Sequence, residues 1–167
     1  MSGGRDIDPR AQELIDGLHL QPHPEGGFFR EMFRSSSTVR PNDDRSERSA
    51  ATTIYFLLPR GAHSRWHRVQ SDEVWHLYEG GPLELLLVPP DVSEVRRVVL
   101  GPALVSAGPV HTVPAGWWQA ARPLGPYALT GCTVAPGFDF EDFAFLHDDG
   151  RVLAQLVKVD PRCAEFA

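Results

Sequence analysis

The chain is poor in the residues that would make several function classes plausible. It has only two cysteines, Cys132 inside an apolar run and Cys163 near the C-terminus. Two thiols so far apart in the sequence form neither a metal-type pair nor a disulfide framework, and they read as reduced structural thiols. No stretch approaches the roughly 20 apolar residues needed to span a bilayer. Clustered Lys and Arg are missing too: the formal net charge is -6 and the sequence pI about 5.6, which gives no pull toward nucleic acid or an anionic membrane surface. No DNA-reading helix is visible. A small molecule is the expected partner, with no nucleic acid and no membrane. The opening MSGGRDID lacks the apolar core of a secretory signal, so the expected location is cytoplasmic. Internal repeats, low-complexity tracts and linker-like charge blocks are absent, so residues 1–167 are expected to form one domain with residues 1–7 loose.

Helical signals are also scarce. One segment is convincing: Asp8 suits an N-cap, Pro9 the first turn, and Ala11, Leu14, Ile15 and Leu18 recur at helical spacing. A weaker helical segment is expected around Val152 to Leu156. Between them lie short β-rich runs: TTIYFLL, DEVWHLY, LELLLV, VRRVVL, ALVSA, VHTV and YALTGCTV, nearly all followed by Gly, Pro or Asp. Closely spaced short strands separated by turn residues predict an all-β antiparallel sandwich or barrel, with a jelly roll as the leading architecture. Ser35 to Ser49 reads as a polar loop. The phenylalanines of FDFEDFAFL, Phe138, Phe140, Phe143 and Phe145, read as core.

Chemistry-bearing residues concentrate in two stretches. In GAHSRWHRVQSDEVWHLYEG, strand alternation places His63, Arg65 and His67 on one face of a first arm, and Glu73, Trp75 and Leu77 on one face of the next. The turn between the arms brings His67 and Glu73 together, while His76 points the other way. In GPVHTVPAGWWQAARP, a sharp turn at Pro114 and Gly116 delivers Trp117, Trp118 and Gln119. A third segment, HPEGG, sets His23 and Glu25 beside two glycines that permit close backbone approach, ahead of Phe28, Phe29 and Arg30. It reads equally as a wall or lid of a site and as a tight turn closing the barrel.

The first stretch resembles the first cupin motif, G-x5-H-x-H-x(3,4)-E-x6-G, through His67, Glu73 and Gly80. The second is similar to G-x5-P-x-G-x2-H-x3-N through Gly108, Pro114 and Gly116. HPEGGFFRE, TTIYFLLP, WHRVQSDEVWHLYEGGPL, VPAGWWQAARP and GCTVAPGFDFEDF together resemble an RmlC-like cupin subfamily labelled as a domain of unknown function. The resemblance implies a double-stranded β-helix, the cupin jelly-roll barrel, with a short N-terminal helix and a short C-terminal helical segment, and it implies a homodimer. Open sheet edges point to pairing as well. Arg65 stands at the first motif histidine and Gln119 at the last, so two of the four usual metal ligands are missing.

Three functions remain open. The leading one is an enzyme that isomerises or epimerises a sugar- or nucleotide-like polar substrate by acid/base chemistry. It needs no cofactor, its catalytic set is His67, Glu73, His23 and Glu25, and RmlC-type epimerases resemble the arrangement. Arg65 and Arg30 are the expected anion contacts, with Gln119, Tyr55, Trp75 and Trp118 lining the substrate. The second is a metal-dependent oxygenase or lyase in which His67, Glu73 and Gln119 hold a divalent metal ion, with His63 or His111 filling in. The third is a metabolite-binding module without catalysis.

Overall fold

The computed structural model describes residues 7–167. Helix α1 (Pro9–Gly17) forms where the spacing predicts it. The Asp8 side chain accepts the backbone N–H groups of Arg10 and Ala11, a cap worth about 1 kcal/mol. Residues 1–6 of the segment expected to be loose lie outside the described residues, whereas Ile7 packs with α1 against the barrel.

Thirteen strands follow: β1 (Gln21–Pro22), β2 (Phe28–Arg34), β3 (Thr38–Val39), β4 (Arg48–Ser49), β5 (Thr52–Pro59), β6 (Ser64–Val69), β7 (Asp72–Gly80), β8 (Leu83–Val88), β9 (Arg96–Leu100), β10 (Val110–Val113), β11 (Trp118–Pro123), β12 (Tyr127–Ala135) and β13 (Phe143–Phe145). They build a six-stranded sheet in the order β1-β2-β5-β12-β7-β10, and a five-stranded sheet in the order β13-β6-β11-β8-β9. A small β3-β4 ladder interrupts the expected polar loop. All pairings are antiparallel, as a jelly roll requires. Helix α2 (Gly150–Val159) covers the outer face of the five-stranded sheet, so the weak helical signal was real and longer than its apolar residues suggested.

Side-chain alternation explains the layers. Leu83, Leu85 and Leu87 of β8 point inward and meet Phe56, Leu58, Trp75 and Leu100. Leu86 and Val88 point outward and meet Trp66, Trp118, Leu146 and Leu156 beneath α2. A strand covered on both faces can be apolar throughout, which is why LELLLV does not alternate. Each of these fully buried leucines contributes about 2 kcal/mol. A third apolar layer joins Ala11, Leu14 and Ile15 of α1 to Leu57, Tyr127 and Leu129 on the outer face of the six-stranded sheet.

One expected strand is absent. ALVSA, residues 103–107, is a succession of turns in which Leu104 and Ser106 adopt positive φ and Leu104 is fully exposed. Among the described residues no strand faces it to bury its apolar side chains, so composition alone did not extend it.

Candidate active site

The site begins with the HPEGG turn. His23 N–H donates to the Gly27 carbonyl and Gly26 N–H to the His23 carbonyl, both at 3.0 Å. Gly26 has φ +117° and lies so close to β6 that a Cβ there would sit 2.2 Å from the His63 carbonyl oxygen. Only glycine permits this approach. Arg65 fastens the turn: its N–H donates to the Glu25 carbonyl at 2.8 Å, its guanidinium donates to the Pro24 carbonyl, and its cation rests 5.0 Å over the Phe145 ring. The consequence is that Glu25 is forced into the barrel, where it is 6% exposed.

Inside, Glu25 meets His67. Strand β6 pairs with β11 so that His67 is opposite Gln119, and both face the interior. His67 Nδ1 lies 2.7 Å from the Arg65 carbonyl, an acceptor, so Nδ1 carries the proton and Nε2 is left to face Glu25 Oε2 at 3.2 Å. Ser64 Oγ donates to Glu25 Oε1 at 3.0 Å. His23 Nδ1 accepts the Glu25 N–H at 3.2 Å and stands 3.8 Å from Glu25 Oε2. Burial pushes the Glu25 carboxyl up to about 7, against the opposing pull of His23, Ser64 and Arg65. Burial also lowers the pKa of His67 and His23.

Glu73 enters from the facing sheet. It is held by the Gln119 amide, whose Nε2 donates to Oε2, and by the Cys132 thiol. Gln119 is itself fixed, because Trp75 Nε1 donates to its Oε1 at 2.9 Å. Burial raises the Glu73 carboxyl, and the nearby Glu25 adds to the rise while His67 opposes it. His67 and Glu73 are therefore neighbours as expected, but the direct partner of His67 is Glu25.

His23, Glu25, His67, Glu73 and Cys132 form the floor of a cavity of about 290 Å³, whereas Gln119, expected to line the substrate, is not in the lining and reaches it only through Glu73. Phe29, Ile54, Val69, Phe138, Phe140 and Phe143 provide apolar walls, with Glu31, Arg34 and Asp139 also in the lining. Phe143 stacks on His67 at 5.5 Å, while Phe138, Phe140 and Phe143 pack edge to face at 5.1–6.2 Å. The segment carrying them is tied down from outside. Arg48 grips Asp142 with two bonds of 3.0 Å, Arg45 adds one of 3.1 Å, and Arg34 donates to the Phe138 carbonyl at 3.1 Å.

Several expected contacts lie elsewhere. Arg65 clamps the HPEGG turn and is not part of the cavity lining. Arg30 lies on the outer face and donates to the Leu18 carbonyl. Tyr55, its cross-strand partner, packs outside against α1 and Tyr78. Trp118 sits under α2 with Arg68 over its ring, because the residue before an inward Gln119 must point outward. Trp75 belongs to the inner core and reaches the site only through Gln119. His63 packs on Phe166, and His111 does not line the cavity. His76 does face outward, against Tyr78.

Other site residues were missed by the sequence reading. Phe138, Phe140 and Phe143 form a wall and not core, with Phe140 63% exposed. Cys132 is a buried free thiol, as expected, yet it also lines the cavity beside Glu73. The alternation of Cys132 with Val134 facing Trp75 and Glu73 across β12 was the available signal.

The donor set expected for a metal does not fit one. The carbonyl oxygen of Gln119 is committed to Trp75, so the amide presents N–H groups, which do not ligate metals. Among the described residues, no group of three or more His, Cys, Asp or Glu is arranged to hold an ion.

A two-sheet antiparallel barrel with titratable side chains buried at the bottom of one cavity is the architecture of a cupin. Residues 12–146 match the family model described as Cupin superfamily (DUF985), and the chain belongs to this family. An uncharacterized Saccharomyces cerevisiae protein is 32% identical over 158 residues, covering 84% of this chain and 77% of that protein. A hypothetical protein from Leishmania major aligns with TM-score 0.79 and 34% identity over 93% of this chain and 96% of its own. A Shewanella oneidensis protein aligns with TM-score 0.82 and 31% identity over 94% and 96%. No helix among the described residues is long and apolar enough to cross a membrane.

Proposed function

We propose that the protein is an enzyme that isomerises or epimerises a small polar molecule, with Glu25 and His67 as the acid/base pair. One observation carries the reading: Glu25 Oε2 and His67 Nε2 stand 3.2 Å apart at the bottom of a substrate-sized cavity, with the Glu25 carboxyl near pH 7. A carboxyl and an imidazole sharing one proton can each accept or give it without a large energetic cost at neutral pH. The basic member removes a proton from carbon next to a carbonyl, and the C–H electron pair moves onto the carbonyl oxygen to give an enolate. Because the two groups stand side by side, the pair returns a proton from the same side, to the neighbouring carbon to give the isomer, or to the original carbon after the enolate has turned over to give the epimer. Glu73, held by Gln119 and Cys132, orients the substrate. The open edge of β2 beyond its two-residue pairing with β1 supports the homodimer as part of this reading.

The test is deuterium wash-in. Sugars, sugar derivatives and nucleotide-linked sugars are incubated with the protein in D₂O, and exchange at carbon is followed by NMR. Wild type exchanges one class, while Glu25→Gln and His67→Asn, checked for fold by circular dichroism, lose at least about 100-fold. Undiminished exchange in both variants, or binding without exchange, overturns the acid/base role. Exchange that requires an added divalent ion favours the metal-dependent alternative.

A further inference from the structure

We infer that the molecule bound in this cavity carries a protonated amine, with Glu73 as its counter-ion and the phenylalanine wall around its apolar body. The inference deepens the acid/base reading of the same site and rests on it for the chemistry that follows binding.

The charges of the lining carry the argument. Four carboxyl groups line the cavity, Glu25, Glu31, Glu73 and Asp139, against a single guanidinium, Arg34. Arg34 is committed: it makes a two-pronged pair with Glu31 at 2.8 and 2.9 Å and donates to the Phe138 carbonyl. The groups facing Glu73 are His67, Glu25, the Gln119 amide and the Cys132 thiol, so no fixed cation neutralises it. Those facing Glu25 are His23, His67, Ser64, Arg65 and Glu73, and the Arg65 guanidinium is turned to the Pro24 carbonyl and the Phe145 ring. An anionic ligand would meet buried carboxyls with no free cation to receive it. An ammonium would find the missing partner of Glu73, and desolvation makes such a pair stronger than the same pair in water.

The walls agree. Phe29, Phe138, Phe140 and Phe143 line the space above the carboxyls, and aromatic faces attract organic cations through their quadrupoles. Acidic floor and aromatic walls each favour a cation over a neutral molecule of equal shape, and here they act on the same bound molecule. The cavity therefore selects against the anionic ligands that Arg65 and Arg30 suggested from sequence.

Three probes of matched shape and different charge test this: benzylamine, benzyl alcohol and benzoate, titrated into the full chain by calorimetry at low salt. Benzylamine is expected to bind at least about tenfold tighter than benzyl alcohol at pH 8, and benzoate at least about tenfold weaker than the alcohol. The benzylamine preference rises from pH 5 to pH 8 as the raised carboxyls ionise, and amine binding releases protons, read as a dependence of the heat on buffer ionisation. Glu73→Gln removes most of the preference while Glu25→Gln retains most of it. Equal affinity for amine and alcohol in wild type at every pH, or preference for benzoate, overturns the inference, and this holds even if Glu73→Gln does not fold. None of these readings needs turnover. Loss of exchange with the amine preference intact would sink only the acid/base role, and intact exchange with no preference would sink only the amine.

Discussion

Replacing Glu25 by glutamine should stabilise the protein at alkaline pH while disabling it. The folded state raises the carboxyl from 4.5 to about 7, mainly by burial. Ionising it inside the barrel therefore costs more than ionising it in the unfolded chain. Stability contributed by the protonated form is fully present below pH 4.5 and is lost as pH rises through 7. The gap between the two values corresponds to about 3 kcal/mol lost by pH 8. In Glu25→Gln the carbonyl oxygen can still accept from Ser64 and the amide N–H can donate toward His67 Nε2, so the variant mimics the protonated acid. Its stability should lack that decline. His67 and His23, both lowered by burial, add stability above pH 6.5 that is lost as pH falls; loss of the Glu25 charge leaves His23 lowered further in the variant, but at pH 8 both rings are neutral in either protein and Glu25 sets the difference. Urea unfolding across pH 5 to 8 measures it: near equality at pH 5, and an advantage of about 2–3 kcal/mol for Glu25→Gln at pH 8. A difference independent of pH, or wild type the more stable at pH 8, would refute the burial of an ionisable acid at this position.

Gly26→Ala must move either the turn or β6 and also strains a positive φ, so it should cost about 3 kcal/mol and lower the unfolding midpoint by roughly 6–12 °C in calorimetry. Trp75→Phe leaves the Gln119 carbonyl without its donor. It should cost about 1–3 kcal/mol in urea unfolding and raise the Glu73 carboxyl further, followed by carbon-detected NMR titration. Asp142→Ala removes the shared anion of Arg45 and Arg48. Hydrogen exchange should then accelerate across residues 138–145 while β12 amides keep their protection. The wild-type clamp should hold until pH falls below the usual aspartate range, because the two arginines hold Asp142 below it.

The frame was legible because it rests on local signals. Asp8 and Pro9 announced α1, and alternation along β6 and β7 turned His67 and Glu73 inward and His76 outward. Reading the partners of those residues was harder. Alternation assigns a face, not the position of a side-chain tip, so Arg65 shares its face with His67 yet spends its guanidinium on a carbonyl outside the cavity. Glu25 reaches His67 across 42 positions only because two glycines let a turn press on β6, a tertiary approach that spacing does not encode. The phenylalanines of FDFEDFAFL looked like core because they are apolar. They became a wall because Asp142, lying between them, is drawn outward to Arg45 and Arg48.

That outward tether divides the labour of the site. The floor of buried carboxyls and imidazoles is locked by bonds that cross between the two sheets, so any change there propagates into the barrel itself. The phenylalanine wall hangs on a short segment tied at Asp142 and at the Phe138 carbonyl, and while Phe143 stacks on His67, the Phe138 and Phe140 rings pack on the other rings of the wall. A lineage, or a protein engineer, can thus vary what enters the cavity at Phe138 and Phe140 while keeping the buried Glu25, His67 and Glu73 in place.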